Sequence, residues 1–141
     1  MTIIRVLTLY ERIGGEETVN RLVESFYSRM DSLTEAQDIR AMHGADLSPT
    51  KAALKQYLTE WLGGPKLYSS VKGSPKLRKR HMHVAIGEAE RDAWLLCMRE
   101  TMNEVITDAR ARQEIYLSIE KLADWMRNTA GNPHDNSGSH P

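Results

Sequence analysis

Apolar residues recur along this chain at the three- and four-residue spacing of a helix face, and nowhere in a convincing two-residue alternation. Across residues 16–30, Val19, Leu22, Val23, Phe26, Tyr27 and Met30 keep helical spacing, with Gly14-Gly15 at the start of the segment. Residues 31–43 are less regular and predict one short helix over 34–42. Ser48-Pro49 predicts a helix start, a capping hydroxyl followed by proline at the first helical position. Thr50, Leu54, Tyr57, Leu58 and Trp61 then mark one face, and Gly63-Gly64-Pro65 ends the segment. Residues 65–75 read as a loop and residues 75–82 as a short turn of helix. After Gly87 a long helix is expected over 88–108, with Trp94, Cys97, Met98, Thr101 and Val105 as its buried stripe and Leu95 and Met102 flanking it. A last helix is expected over 110–129, turning Ile115, Ile119, Leu122 and Met126 inward. The expected architecture is all-α, with the two C-terminal helices packed as neighbours.

Size and charge narrow the function classes. At 141 residues the chain is one domain's length. Lys plus Arg number 19 and Asp plus Glu number 19. That balance argues against a protein built to grip nucleic acid or anionic lipid. The long helices are mixed in charge, unlike a basic recognition helix. A single cysteine excludes an intrachain disulfide and points to a reducing, cytoplasmic setting. Residues 1–10 hold a short apolar run broken by Arg5 and do not read as a targeting signal. No run reaches the length of a membrane span. Residues 131–141 contain no large apolar side chain and read as a flexible tail after a single domain over 1–130. No internal repeat is evident.

The usual catalytic signatures are missing. There is no glycine-rich phosphate loop, no C-x-x-C and no H-E-x-x-H. Cys97 sits in an apolar helix and reads as a small core residue. His81 and His83, two apart, have the spacing of a metal chelate, yet zinc needs two further ligands that the spacing does not supply. Lys76-Leu77-Arg78-Lys79-Arg80-His81 is a dense basic run. It reads as a solvated loop face, or as charges gathered around a bound anionic group such as the propionates of a haem. A nucleic-acid surface is disfavoured by the balanced total charge and the lack of nearby stacking aromatics.

Several segments together carry a resemblance. They are Gly14-Gly15, Phe26-Tyr27 and Trp61-Leu62-Gly63-Gly64-Pro65. The densest are Leu77-Arg78-Lys79-Arg80-His81 and Ile86-Gly87-Glu88-Ala89-Glu90-Arg91-Asp92-Ala93-Trp94-Leu95-Leu96-Cys97-Met98. Over residues 8–127 the chain resembles the truncated haemoglobins of the second group, the O-type or 2-on-2 globins. The resemblance implies a truncated globin fold, a two-over-two helical sandwich around a haem b. It makes His81 the proximal ligand of the iron, with a backbone carbonyl accepting its other ring N–H, and leaves His83 non-ligating. It makes Tyr27 and Trp94 distal hydrogen-bond donors to a bound ligand, with His43 a third polar group there that can titrate near neutrality. Thr50 falls where other globins carry the distal histidine and leaves room for ligand entry. Leu54, Tyr68 and Arg80 are implied haem contacts. The implied function is reversible dioxygen binding with slow release, suited to sensing or to redox chemistry on a small ligand. The implied alternative is a nitric oxide dioxygenase or peroxidase-like enzyme that needs a separate reductase. The implied partners are dioxygen, other diatomic ligands and an electron donor, with no nucleic acid and no membrane. The chain would act as a monomer or homodimer.

Overall fold

Thr8 starts the first helix by a reciprocal pair of hydrogen bonds in the computed structural model, which describes residues 6–72, 81–82 and 85–128. Its hydroxyl accepts from the Glu11 N–H at 3.1 Å, and the Glu11 carboxylate accepts from the Thr8 N–H at 3.2 Å. The helix that follows, α1 (Leu9–Ile13), is absent from the sequence reading, because five residues hold too little periodicity to register. Gly14, at φ 114°, ends α1 and opens α2 (Gly15–Ser32). Any Cβ there would also run into the Thr18 hydroxyl, so glycine is required twice over. α2 buries the expected face of Val19, Leu22, Val23, Phe26, Tyr27 and Met30.

The short helix expected over 34–42 is split into a 3-10 turn (Thr34–Ala36) and α3 (Gln37–Ala41). α4 (Ser48–Trp61) begins where expected and carries Pro49 in its first turn. Its cap differs from the expected Ser48 hydroxyl. The Asp46 carboxylate accepts from the Ser48 N–H at 3.0 Å, a charged acceptor at the positive end of the helix. That bond holds the Asp46 carboxyl below its ordinary range. α1 docks on the far end of α4, where Tyr10 N–H donates to the Leu62 carbonyl at 2.9 Å. A Cβ on Gly64 would sit 2.9 Å from the Tyr10 ring, so this approach also needs glycine.

The segment expected as a loop over 65–75 contains a turn of helix, α5 (Ser69–Lys72). Glu60 accepts from both the Ser69 N–H at 2.9 Å and the Ser69 hydroxyl at 2.8 Å. This acceptor sits nine residues upstream, outside any local pattern. The turn expected over 75–82 falls mostly outside the described residues, as do the tail over 131–141, Arg80 and His83.

α6 (Glu88–Val105) and α7 (Ala109–Trp125) are the two long C-terminal helices. α6 stops before 108 because Asp108 belongs to the next helix, accepting from the Ala111 N–H at 3.0 Å as its cap. α6 packs against α2 and against α7, so its buried sector is wider than one stripe. Leu95 and Met102, expected on the flanks, are therefore buried, while Trp94, expected at the centre, is only half-buried. α7 buries Ala111, Ile115 and Ile119, with Leu122 and Met126 half-buried towards its end. α2 also packs on α4, which gives two helix pairs, α2 with α4 and α6 with α7, joined through the α2–α6 contact. No strand occurs among the described residues. No helix among them is long and apolar enough to cross a membrane.

Met98, 1% exposed, lies at the centre of this arrangement. Met98→Ala is expected to lower the unfolding free energy by about 2–5 kcal/mol. Leu117→Ala, on the exposed face of α7, should change it by less than about 0.5 kcal/mol. Denaturant unfolding followed by circular dichroism measures both.

Candidate functional site

Neighbouring residues on a helix point about 100° apart, so burying both Phe26 and Tyr27 requires packing on two sides of α2. The structure supplies both sides. The Phe26 ring meets Trp94 of α6 edge-on, with centroids 5.1 Å apart. The Tyr27 ring meets His43, just beyond α3, with centroids 6.0 Å apart and planes at 78°. Phe26 and Tyr27 themselves sit edge-to-face at 5.0 Å. Trp94, Phe26, Tyr27 and His43 thus form a continuous aromatic row across three segments.

The polar atoms of this row are chemically distinct. Burial pushes the Tyr27 phenol well above its ordinary pKa, so it stays a neutral O–H donor across the biological range. The Trp94 indole N–H can only donate. Among the described residues, no hydrogen bond engages either group. His43 differs: its Nδ1 lies 2.8 Å from the Ile39 carbonyl oxygen. A carbonyl only accepts, so this contact assigns the proton to Nδ1 and leaves Nε2 of the neutral ring as an acceptor.

α4 adds an apolar face. Thr50, Leu54, Tyr57 and Trp61 are half-buried along it, and Leu58 is buried beneath. Tyr68 is buried against Tyr57, with ring centroids 5.7 Å apart and planes at 86°. The Tyr57 hydroxyl is pushed up to about 12, chiefly by burial, with Tyr68 and Glu60 adding to the effect. His81 is half-buried in a turn, and its carbonyl oxygen accepts from the Asn128 side chain at 3.2 Å. Cys97 is buried, and its thiol is pushed up to about 11, chiefly by that burial. No three His, Cys, Asp or Glu side chains gather among the described residues as a protein-held metal ion would need. A haem, whose porphyrin brings nitrogen ligands of its own, would not need such a cluster.

The sequence model described as Bacterial-like globin matches residues 8–128. The chain belongs to that family, in the second group of truncated haemoglobins. It is similar to the group II 2-on-2 haemoglobin of Agrobacterium tumefaciens, at 48% identity and a TM-score of 0.86, covering 90% of this chain and 98% of that one. A cold-adapted truncated haemoglobin of Pseudoalteromonas haloplanktis matches at 33% identity and a TM-score of 0.85, covering 87% of this chain and 99% of that one. A group 2 truncated haemoglobin of Bacillus subtilis is 38% identical over 119 residues, 84% of this chain and 87% of its own length.

The globin's helix pairs are the two-over-two sandwich of these relatives. As a member of the family it is a haem protein able to bind dioxygen. The residues present suit that group. A flat apolar ring matches the half-buried face of Leu54, Tyr57 and Trp61, and a polar ligand on it matches the two donors without protein partners.

The site residues expected from the sequence fall into three sets. Tyr27, His43 and Trp94 are brought together through Phe26. Thr50 and Leu54 share α4, and Tyr68 joins that side through Tyr57. His81 is tied by Asn128 to the segment just after α7, whereas Arg80 lies outside the described residues. The sequence reading passed over Asn128 altogether. Its partner is 47 residues away, so no local signal marks it.

The state of Cys97 is testable. In the folded globin, an alkylating reagent at about pH 8 should leave Cys97 unlabelled, and denaturant should bring labelling to completion. Mass spectrometry of the intact chain reads both.

Proposed function

We propose that this globin holds haem b through His81 and binds dioxygen reversibly with slow release. The observation that supports the reading best is the pair of donors, buried Tyr27 and half-buried Trp94, flanking Phe26 with no protein acceptor among the described residues. When bound, haem would supply an iron able to take a diatomic ligand, with His81 as the residue that would hold it.

The chain's own residues do the rest. The Tyr27 hydroxyl and the Trp94 indole donate to the ligand, whose outer atom carries partial negative charge. Tyr27 remains protonated for this task because burial disfavours its phenolate. His43, with Nδ1 turned to Ile39, leaves Nε2 for a water beside the ligand. Thr50 is small enough to leave an entry path, and Leu54 and Tyr68 contribute apolar contact. Arg80 offers a guanidinium to a propionate carboxylate.

Each hydrogen bond to a charged acceptor adds about 1.5–3 kcal/mol of retention. Retention of that size works against bulk transport and suits sensing, or redox turnover of a trapped ligand with electrons from a partner reductase. The cytoplasm, where a lone buried thiol stays reduced, is the matching compartment.

Two variants test the reading. Purified protein supplied with haem should show a Soret band, and His81→Ala should weaken haem retention. A wild type without the band would refute haem binding. Tyr27→Phe should speed dioxygen dissociation by about 10- to 100-fold in stopped-flow measurements. An unchanged rate would remove Tyr27 from the ligand's surroundings.

A further inference from the structure

Asn128 lies three residues past the end of α7, with both ends of its carboxamide engaged by the segment that carries His81. Its Nδ2 donates to the His81 carbonyl oxygen at 3.2 Å. Its Oδ1 accepts from the Ile86 N–H at 2.8 Å. Its own backbone N–H donates to the Ile86 carbonyl oxygen, also at 2.8 Å. One residue therefore closes three hydrogen bonds across the stretch from His81 to Ile86. The orientation of the amide follows from its partners. Flipped, it would set oxygen against the His81 carbonyl and NH2 against the Ile86 N–H, losing both bonds.

The frame behind Asn128 is stiff. Arg127, 9% exposed, places Nε 2.9 Å from the Asp124 carboxylate and Nη1 3.4 Å from Glu88. Arg91 reaches the same Asp124 oxygen at 2.7 Å. The last turn of α7 is thus tied to the first turns of α6 by a small ionic network. Asn128 is presented from that network to the His81 segment.

We propose that Asn128 is a positioning residue for the His81 imidazole. By holding the His81 carbonyl it fixes the backbone from which the ring projects, and with it the tilt at which the ring meets the haem. The proposal rests on the reading of His81 as the axial ligand. Partners that orient a metal-bound histidine commonly change metal affinity about 10- to 100-fold when removed.

Two substitutions separate the two ends of the amide. Asn128→Ala removes both side-chain bonds. Asn128→Asp keeps an acceptor for Ile86 but removes the Nδ2 bond to the His81 carbonyl and sets a carboxylate oxygen against it. Hydrogen–deuterium exchange of the haem-free protein reads the Ile86 amide. Resonance Raman of the ferrous protein reads the iron–histidine stretch, with His81→Ala as the reference. Haem transfer to apomyoglobin reads retention. Asn128→Ala should speed Ile86 exchange about tenfold, whereas Asn128→Asp should leave it near wild type. Both should shift or broaden the iron–histidine band and speed haem loss about tenfold. An unmoved band and unmoved haem loss in both variants, with Ile86 exchange raised in Asn128→Ala, would reduce the clip to a structural tie and overturn the proposal. A wild-type band that survives His81→Ala would overturn the ligand reading and this proposal with it, while the Ile86 measurement still reports on the clip.

Discussion

The packing of Phe26 between Tyr27 and Trp94 is the contact on which the site depends. Phe26 is fully buried at the α2–α6 contact, where the two helix pairs join. Its edge meets one aromatic on its own helix and one on the partner helix. Edge-to-face contacts fix ring angles as well as distances. The same ring that holds α2 against α6 therefore sets how the Tyr27 hydroxyl and the Trp94 N–H sit relative to each other. Structural and functional demands meet at a single side chain, so the donors cannot be re-aimed without loosening the core.

A second set of contacts keeps α2 and α6 in register along their length. Arg29 of α2 reaches Glu104 at 2.7 Å, Thr101 at 3.3 Å and Glu100 at 3.8 Å, all on α6. Exposed ion pairs of this kind contribute little free energy singly. Their use here is directional: they oppose sliding of α2 on α6, which would pull Phe26 off Trp94. The network of Arg91, Asp124, Arg127 and Glu88 does the same work where α7 ends beside the start of α6. The molecule's zero net charge conceals this arrangement, in which many charges are spent locally on tying helices together.

Much of the fold is legible in the periodicity, because α2, α4, α6 and α7 are long enough for a buried face to repeat. α1 and α5 are too short for a repeat; α1 rests on its own Thr8–Glu11 capping pair, and α5 on Glu60 nine residues upstream. The α6 buried sector is wider than its own periodicity shows, because α2, α7, α3 and the 3-10 turn all pack on it. In the site, Tyr27 and Trp94 are visible through a family motif and not through spacing, which alone reads both as core. His43 needs the Ile39 carbonyl to define its role, and Asn128 needs a segment 47 residues away. The first contact is local, four residues apart, and shows only once the backbone turns, whereas the second is set by tertiary packing and leaves no local trace.

The chemistry of the buried groups also bounds what the chain itself contributes. Tyr27 is held protonated by burial, so it has a proton to donate and does not serve as a base. Trp94 donates only. Cys97, sealed in α6 with its thiol pushed up to about 11, supplies no thiolate at neutral pH. His43 holds Nδ1 against the Ile39 carbonyl oxygen. On the proposed reading, a site built this way would orient and retain a ligand. On that reading, any reactivity comes from the haem and from electrons delivered by another protein, while this chain sets how long the ligand stays and in which direction it lies.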